Sequence, residues 1–313
     1  MDDDVREGIA FTNLDQQLFD GAGATKRELV DYLDAVSDLI VPVLSDRALS
    51  VIRTRPGQAP FMQKNVPKSA PSWLRTTSEW AETSQRTVAY ALCNDRRSLL
   101  WFANQRAVEY HPALVLAGRP DRMTHLVVDL DPPEGSDFSQ VVAIAHMVRQ
   151  ALDNAGLHGV VKTSGAKGLH IFVPITDDVA TDDSSAALRA LAVRVERLDP
   201  SVATTAFMKA DRGAKVFVDA TRAGGATVIA AYSPRARPGV PVSFPIGWDE
   251  LDTVTPADFT IHTALDRLGG QDPWHALMPS PQPIGDDLIE EGRAIPMPRV
   301  KAMHEGKRRA RQR

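Results

Sequence analysis

A chain of 313 residues, 43% of them hydrophobic, is long enough for a large core in one big domain or two lobes. No apolar run approaches ~20 residues, which excludes a membrane-spanning helix, and the lone Cys93 excludes an internal disulfide framework or a Cys-rich zinc site and fits a reducing cytoplasm. The net charge of −4 hides an asymmetry: residues 299–313 hold seven Lys/Arg against one Glu, so that tail carries +6 and the remainder −10, and a polyanion would have to be met by local basic patches.

The acidic start, MDDDVREG, carries no apolar targeting segment. Residues 23–44 then predict a helix: Thr25 and Glu28 have capping-box spacing, and Leu29, Leu33, Val36 and Ile40 recur at helical intervals. RALSVIRTRPG predicts a short strand ending in a basic turn, and the Pro-rich APFMQKNVPKSAPSW an irregular loop. RTVAYALC reads as a strand and SLLWFANQRAVEYH as a helix. The apolar HLVVDLD is a strand, and residues 137–156 a helix stopped at Gly156. GVVKT and LHIFVPI are strands joined by SGAKG, and residues 182–198 a helix. AKVFVDA and ATVIAAYS are strands around TRAGG, followed by the Pro-rich RARPGVPVSFPIGWDEL. The alternation of helices and strands indicates an α/β or α+β fold. We divide it into a globular part over residues 1–290 and a basic tail over 291–313, whose plain reading is a solvated terminus and whose alternative is a polyanion-binding arm.

In a strand, alternate side chains share a face, so Asp129 and Asp131 project together and Leu130 turns the other way. Their Cα atoms lie about 6.5–7 Å apart, and a bare pair of carboxylates would repel. Either two solvated acids end the strand or they converge on divalent cations. KVFVDA repeats the pattern, an apolar strand ending in Asp219. Three carboxylates from two strands suit two hard cations about 3.5–4 Å apart, the arrangement of phosphoryl and nucleotidyl transfer. In SGAKG, Gly165 and Gly168 permit a tight turn with exposed amides, Ser164 offers a hydroxyl and Lys167 a charge, all suited to phosphate oxygens, while an ordinary Gly-rich hairpin is the plainer alternative. His170 begins the next strand and can face the same side. Arg53, Arg55, Arg212, Arg235 and Arg237 are further cations suited to bidentate phosphate contact. His111, in EYHP, has the plain reading of a structural histidine.

Taken together, VVDLDPPEG, TSGAKGLHIFVPI, KVFVDATRAGG and AAYSPRARPGVPVS resemble the polymerase domain of bacterial end-joining DNA ligases, a branch of the archaeo-eukaryotic primase superfamily. The resemblance runs from about Phe11 to about Leu251, with no ligase or nuclease module beside it, as in a stand-alone member. It implies an archaeo-eukaryotic primase-like α/β (α+β) fold, two mixed β-sheet lobes around a central cleft with outer helices. It also implies a template-directed, primer-extending nucleotidyltransferase that fills short gaps in non-homologous end joining, prefers ribonucleotides to deoxyribonucleotides and favours Mn²⁺ over Mg²⁺, two ions at a time. Residue by residue, the metal acids fall on Asp129, Asp131 and Asp219, and the triphosphate contacts on Ser164, Lys167, Arg212 and Arg235. Asn13, Arg53 and His111 fall where the family lines the nucleotide and primer terminus. Lys26, at a helix N-terminus, matches half of a pocket for the downstream DNA 5′-phosphate. The implied partners are gapped or broken double-stranded DNA, NTP or dNTP, a separate DNA ligase and an end-binding protein, in a cytoplasmic, nucleoid-associated setting and with no membrane.

Three positions depart from the family's usual pattern: Gln16 stands where a lysine completes the 5′-phosphate pocket, Phe61-Met62 replaces Phe-Phe, and Arg222 replaces a Gln after VDAT. The rival enzyme is a metal-dependent glycosyltransferase, which also places Asp-x-Asp at a strand end but leaves Asp219 and SGAKG unexplained. A haloacid-type phosphatase conflicts with Pro133 two positions after the second Asp. A degenerate polymerase domain kept as a DNA-end binding module is the non-enzymatic alternative, and the intact acids oppose it by repelling phosphate unless cations intervene.

Overall fold

The computed structural model describes residues 4–81 and 85–296. The described residues form two compact units: one takes those from 4 to 122 with 160–167 and 224–278, the other those of 123–159, 168–223 and 279–296.

In the first unit, Thr25 caps the helix Lys26–Ala35: its hydroxyl accepts the Glu28 amide at 3.3 Å, and the Glu28 carboxylate accepts the Thr25 amide at 2.7 Å. The single helix expected through residue 44 is interrupted at Val36 (φ −95°, ψ 11°) and resumes as Ser37–Leu44. Pro42 has no amide for the carbonyl four residues back, and the break lets Leu29, Leu33, Val36, Ile40 and Leu44 all stay fully buried. Strand Leu49–Arg55 pairs antiparallel with Gln58–Gln63 and with Ala107–Pro112, and at Leu49 with Arg86–Ala91, which carries Thr76–Ala81. Gln58–Gln63 corrects the expected loop. Pro60 is tolerated because this is an edge strand whose register shifts between Arg53 and Arg55. The helix expected over 98–111 covers only Arg96–Asn104. Arg106 adopts a left-handed backbone (φ 61°) that ends it, and the β-branched and aromatic AVEYHP that follows is a strand. Residues 226–233 form no ladder strand. Val228 to Tyr232 are buried, and their backbone meets the neighbouring strand through the Ala230 amide and the Tyr110 carbonyl at 2.9 Å. Val160–Thr163 pairs with Pro245–Ile246.

In the second unit, strands lie in the order Ala203–Thr204, Val216–Asp219, His125–Asp131, Leu169–Pro174. The first pairing is parallel and the others antiparallel. Helices Phe138–Asp153 and Thr181–Leu198 pack on this sheet, and Leu130, Val218 and Leu169 are buried in alternation with the functional face. Helix Asp286–Ala294 lies against Thr181–Leu198 so closely that a side chain on Gly292 would run into the Ala186 carbonyl. That helix crosses residue 290, and the basic tail from residue 297 on lies outside the described residues. Mixed sheets and helices are the fold class expected from the sequence. No helix among the described residues is long and apolar enough to cross a membrane.

Candidate active site

Two adjacent strands of the second unit carry the three acids, and the strand on the far side of Asp129 carries His170. Asp129 stands directly opposite Asp219 on one neighbour and opposite His170 on the other, so the three side chains form one row on one face of the sheet. Asp131, two residues on, stands opposite Phe217 on the same face. The apolar alternation that buries Leu130 and Val218 therefore sets both carboxylates of the Asp129–Asp219 rung toward the other side.

Directly opposed like charges are unfavourable, and each acid has a counter-charge. His170 Nε2 lies 3.3 Å from Asp129 Oδ1. The Arg222 guanidinium reaches Asp129 Oδ2 at 3.0 Å through Nη2 and 3.3 Å through Nε, and its Nε is 3.5 Å from Asp219 Oδ2. Asp219 Oδ1 accepts the Thr221 amide at 2.8 Å. Burial pushes the Asp129 carboxyl up, but His170 and Arg222 outweigh it and hold the group well below the usual carboxylate range. The Asp219 carboxyl goes the other way: burial, with a smaller push from Asp129, raises it despite the Thr221 hydrogen bond and Arg222. Asp131 is 56% exposed and pairs at 3.3 Å with Arg212, which stacks on Phe217 at 3.6 Å and also donates to the Ala206 and Phe207 carbonyls. At that exposure the Arg212–Asp131 pair is worth about 0–1 kcal/mol.

Carboxylate oxygens are the donors that hard divalent cations take, so the chemistry of this set fits Mn²⁺ or Mg²⁺. Among the described residues, no three His, Cys, Asp or Glu side chains stand close enough to hold an ion in the present arrangement. Asp129 and Asp219 converge, a guanidinium spans them, and Asp131 is turned to Arg212.

The remaining predicted residues belong to the first unit and fall into two groups. Ser164 is buried at the start of the SGAKG loop, where its hydroxyl accepts the Ala166 amide, and Lys167 is exposed. Gly165 is left-handed (φ 66°), and a Cβ there would stand 2.6 Å from Arg235 Cγ, so glycine is what lets that arginine cross the loop. Arg235 and His111 meet on Glu109, at 3.4 and 2.9 Å. Burial of Glu109 is outweighed by His111, Arg235 and the Ala236 amide, which keep its carboxyl below the usual range. Sequence reading missed Glu109. Reading residues 98–111 as a helix hides it, since residues 109 and 111 share a face only in the strand that the structure forms there.

The second group surrounds the first helix. Lys26 is buried and donates to the Thr12 carbonyl and Asn104 Oδ1, both at 2.6 Å. Asn13, left-handed at φ 56°, accepts from Gln16, and Gln16 accepts in turn from Arg106 at 2.7 Å. Arg53 donates to the Gln105 carbonyl and Gln63 and lies over the exposed Phe61 ring. Burial, with Arg106 nearby, lowers the Lys26 ammonium to about 8. The unfolded chain then binds the extra proton between about pH 8 and the normal lysine range, so stability rises with pH across that window. Wild type should therefore gain on a Lys26→Met variant between pH 8 and 10 in parallel denaturation curves. A constant gap would show that Lys26 titrates normally.

A family model described as the LigD primase-polymerase domain matches residues 25–274. The multifunctional non-homologous end joining protein LigD of Mycolicibacterium smegmatis is 33% identical over 90% of this chain, and the bifunctional LigD of Bacillus subtilis 32% identical over 85%. This chain spans only 37% and 43% of those two proteins. Among solved structures, the polymerase domain of Mycobacterium tuberculosis ligase D in complex with DNA superposes with a TM-score of 0.76 at 32% identity, covering 84% of this chain and 95% of that one.

Proposed function

Because the chain belongs to the LigD primase-polymerase domain family, we propose that it is a template-directed nucleotidyltransferase that extends a primer across short gaps in DNA during end-joining repair. The observation that carries this reading is the Asp129–Asp219 rung, two carboxylates on one sheet face with Asp131 two residues away. A glycosyltransferase or a phosphatase is set aside by the family match over residues 25–274.

Asp129, Asp131 and Asp219 would hold two divalent cations, Mn²⁺ in preference to Mg²⁺. Such ions, when bound, acidify an attacking hydroxyl and neutralise a triphosphate. Ser164, Lys167 and Arg235 take triphosphate oxygens, with Glu109 fixing Arg235 through charge and His111 through a hydrogen bond. Arg212 becomes available to phosphate oxygens once it leaves Asp131. Arg53 with Phe61 offers a cation and an aromatic face to the DNA or the incoming nucleotide, and Lys26 with Asn13 faces the downstream 5′-phosphate. A ribonucleotide preference, a separate ligase and an end-binding partner complete the proposal.

The test is extension on a one-nucleotide-gapped duplex, with and without the downstream 5′-phosphate, comparing NTP with dNTP and Mn²⁺ with Mg²⁺. Incorporation with release of pyrophosphate is expected, faster with NTP and Mn²⁺. Absence of incorporation under every condition, with DNA still retained, would leave an end-binding module instead.

A further inference from the structure

We propose that Arg222 is a built-in competitor for divalent cations: its guanidinium stands between Asp129 and Asp219 where an ion would sit, so metal loads only as the arginine leaves. This rests on the reading of the acids as metal ligands given above.

The two acids are directly opposed across neighbouring strands, and such a pair needs a positive group between them. The oxygens left over by other partners decide where it goes. Asp129 Oδ1 is beside His170, and Asp219 Oδ1 accepts the Thr221 amide. The remaining oxygens, both Oδ2, are the ones Arg222 takes, at 3.0 and 3.3 Å on Asp129 and 3.5 Å on Asp219. An ion shared by the pair requires those same oxygens, so arginine and ion exclude one another.

Arginine keeps its proton throughout the accessible pH range, so the site cannot be cleared by deprotonation, only by movement. The fold leaves room for that movement. Arg222 follows the end of strand Val216–Asp219, its side chain is 40% exposed, and the next residues but one are Gly224 and Gly225. No neighbouring atom lies within 4 Å of a Cβ built on Gly225, and Gly224 is left-handed at φ 58°. The guanidinium thus holds the acids at fixed separation in the metal-free protein and has solvent to swing into. The consequence is a threshold: this chain needs a higher free cation concentration than one with a neutral residue at 222.

The test uses the full chain without nucleotide or DNA and reads free Mn²⁺ by electron paramagnetic resonance during titration. Arg222→Gln keeps hydrogen-bonding capacity and removes the charge. Its Kd for Mn²⁺ should fall about ten-fold, the scale of one charge-assisted hydrogen bond. Its metal-free melting temperature should fall below wild type and recover with Mn²⁺. Arg222→Lys keeps the charge and should stay near the wild-type Kd. Should Arg222→Gln not fold, Arg222→Ser at the same exposed position supplies the neutral arm. Equal Mn²⁺ affinity in wild type and the neutral variant overturns the competition and leaves the polymerase reading standing. Equal gains in the neutral and lysine variants overturn it too, since charge would then be irrelevant. Mn²⁺ binding by none of the proteins overturns both the competition and the metal assignment.

Discussion

Asp129→Asn should reduce primer extension by at least about a hundred-fold to a thousand-fold, with little change in DNA retention on a gel. Asp129 is the middle of the rung: His170 and Asp219 stand on either side of it, and Arg222 reaches it with two nitrogens. The asparagine has nearly the same shape and can still accept a hydrogen bond, so the loss would be one of charge. The same change tests the electrostatics of folding. The Asp129 carboxyl is held well below the usual range, because His170 and Arg222 outweigh the opposing effect of burial. Such a group contributes stability that is present above the ordinary carboxylate pKa and is lost as pH falls through the folded-state value. Wild type should therefore exceed Asp129→Asn by about 1–3 kcal/mol near neutral pH, toward the low end because Arg222 is partly exposed and recovers solvation. The gap should close in strong acid. Undiminished extension by the variant would remove Asp129 from the metal site, and a gap that does not vary with pH would remove the depressed carboxyl.

The strand carrying Asp129 and Asp131 was legible because its signal is local: period-two alternation in HLVVDLD fixes which residues share a face, and the structure keeps Leu130 buried and Asp131 out. The pairing of Asp129 with Asp219 was not legible in that way. Register across 90 residues of intervening chain is set by how the whole sheet packs, and the second acid was suggested only by a repeated motif. Errors elsewhere have similar causes. Arg106 ends a helix in a left-handed conformation that glycine or asparagine usually marks, so nothing in QRAVEY announced the change from helix to strand. Pro60 argued for a loop, and only the position of its strand at a sheet edge makes it acceptable. In ATVIAAYS the composition was right for burial and wrong for pairing: the residues are inside, but their amides reach neighbours singly. Arg222 was visible as a departure from the family pattern. Its role required knowing which carboxylate oxygens other groups had already taken.

Gly168→Ala should cost about 1–3 kcal/mol of stability and lower extension by more than about ten-fold, although residue 168 bears no functional group. The reason lies in the rung next to the acids. Leu130, between Asp129 and Asp131, pairs with Leu169, and a Cβ on the preceding residue would collide with the Leu130 carbonyl. The neighbour is backbone, which cannot rotate away as a side chain could, so the strands must part or slide. Either movement displaces His170 from Asp129 and changes the height of both acids relative to Asp219. Gly225→Ala provides the control: it lies just beyond Arg222, its φ is not left-handed, and nothing stands within 4 Å of the added methyl, so its stability should stay within about 0.5 kcal/mol of wild type. Urea denaturation and gap extension on the two variants in parallel separate a close backbone approach from a general intolerance of glycine replacement. If Gly168→Ala behaved like Gly225→Ala in both measurements, the Leu130–Leu169 rung would have slack, and the placement of the acids would not depend on it.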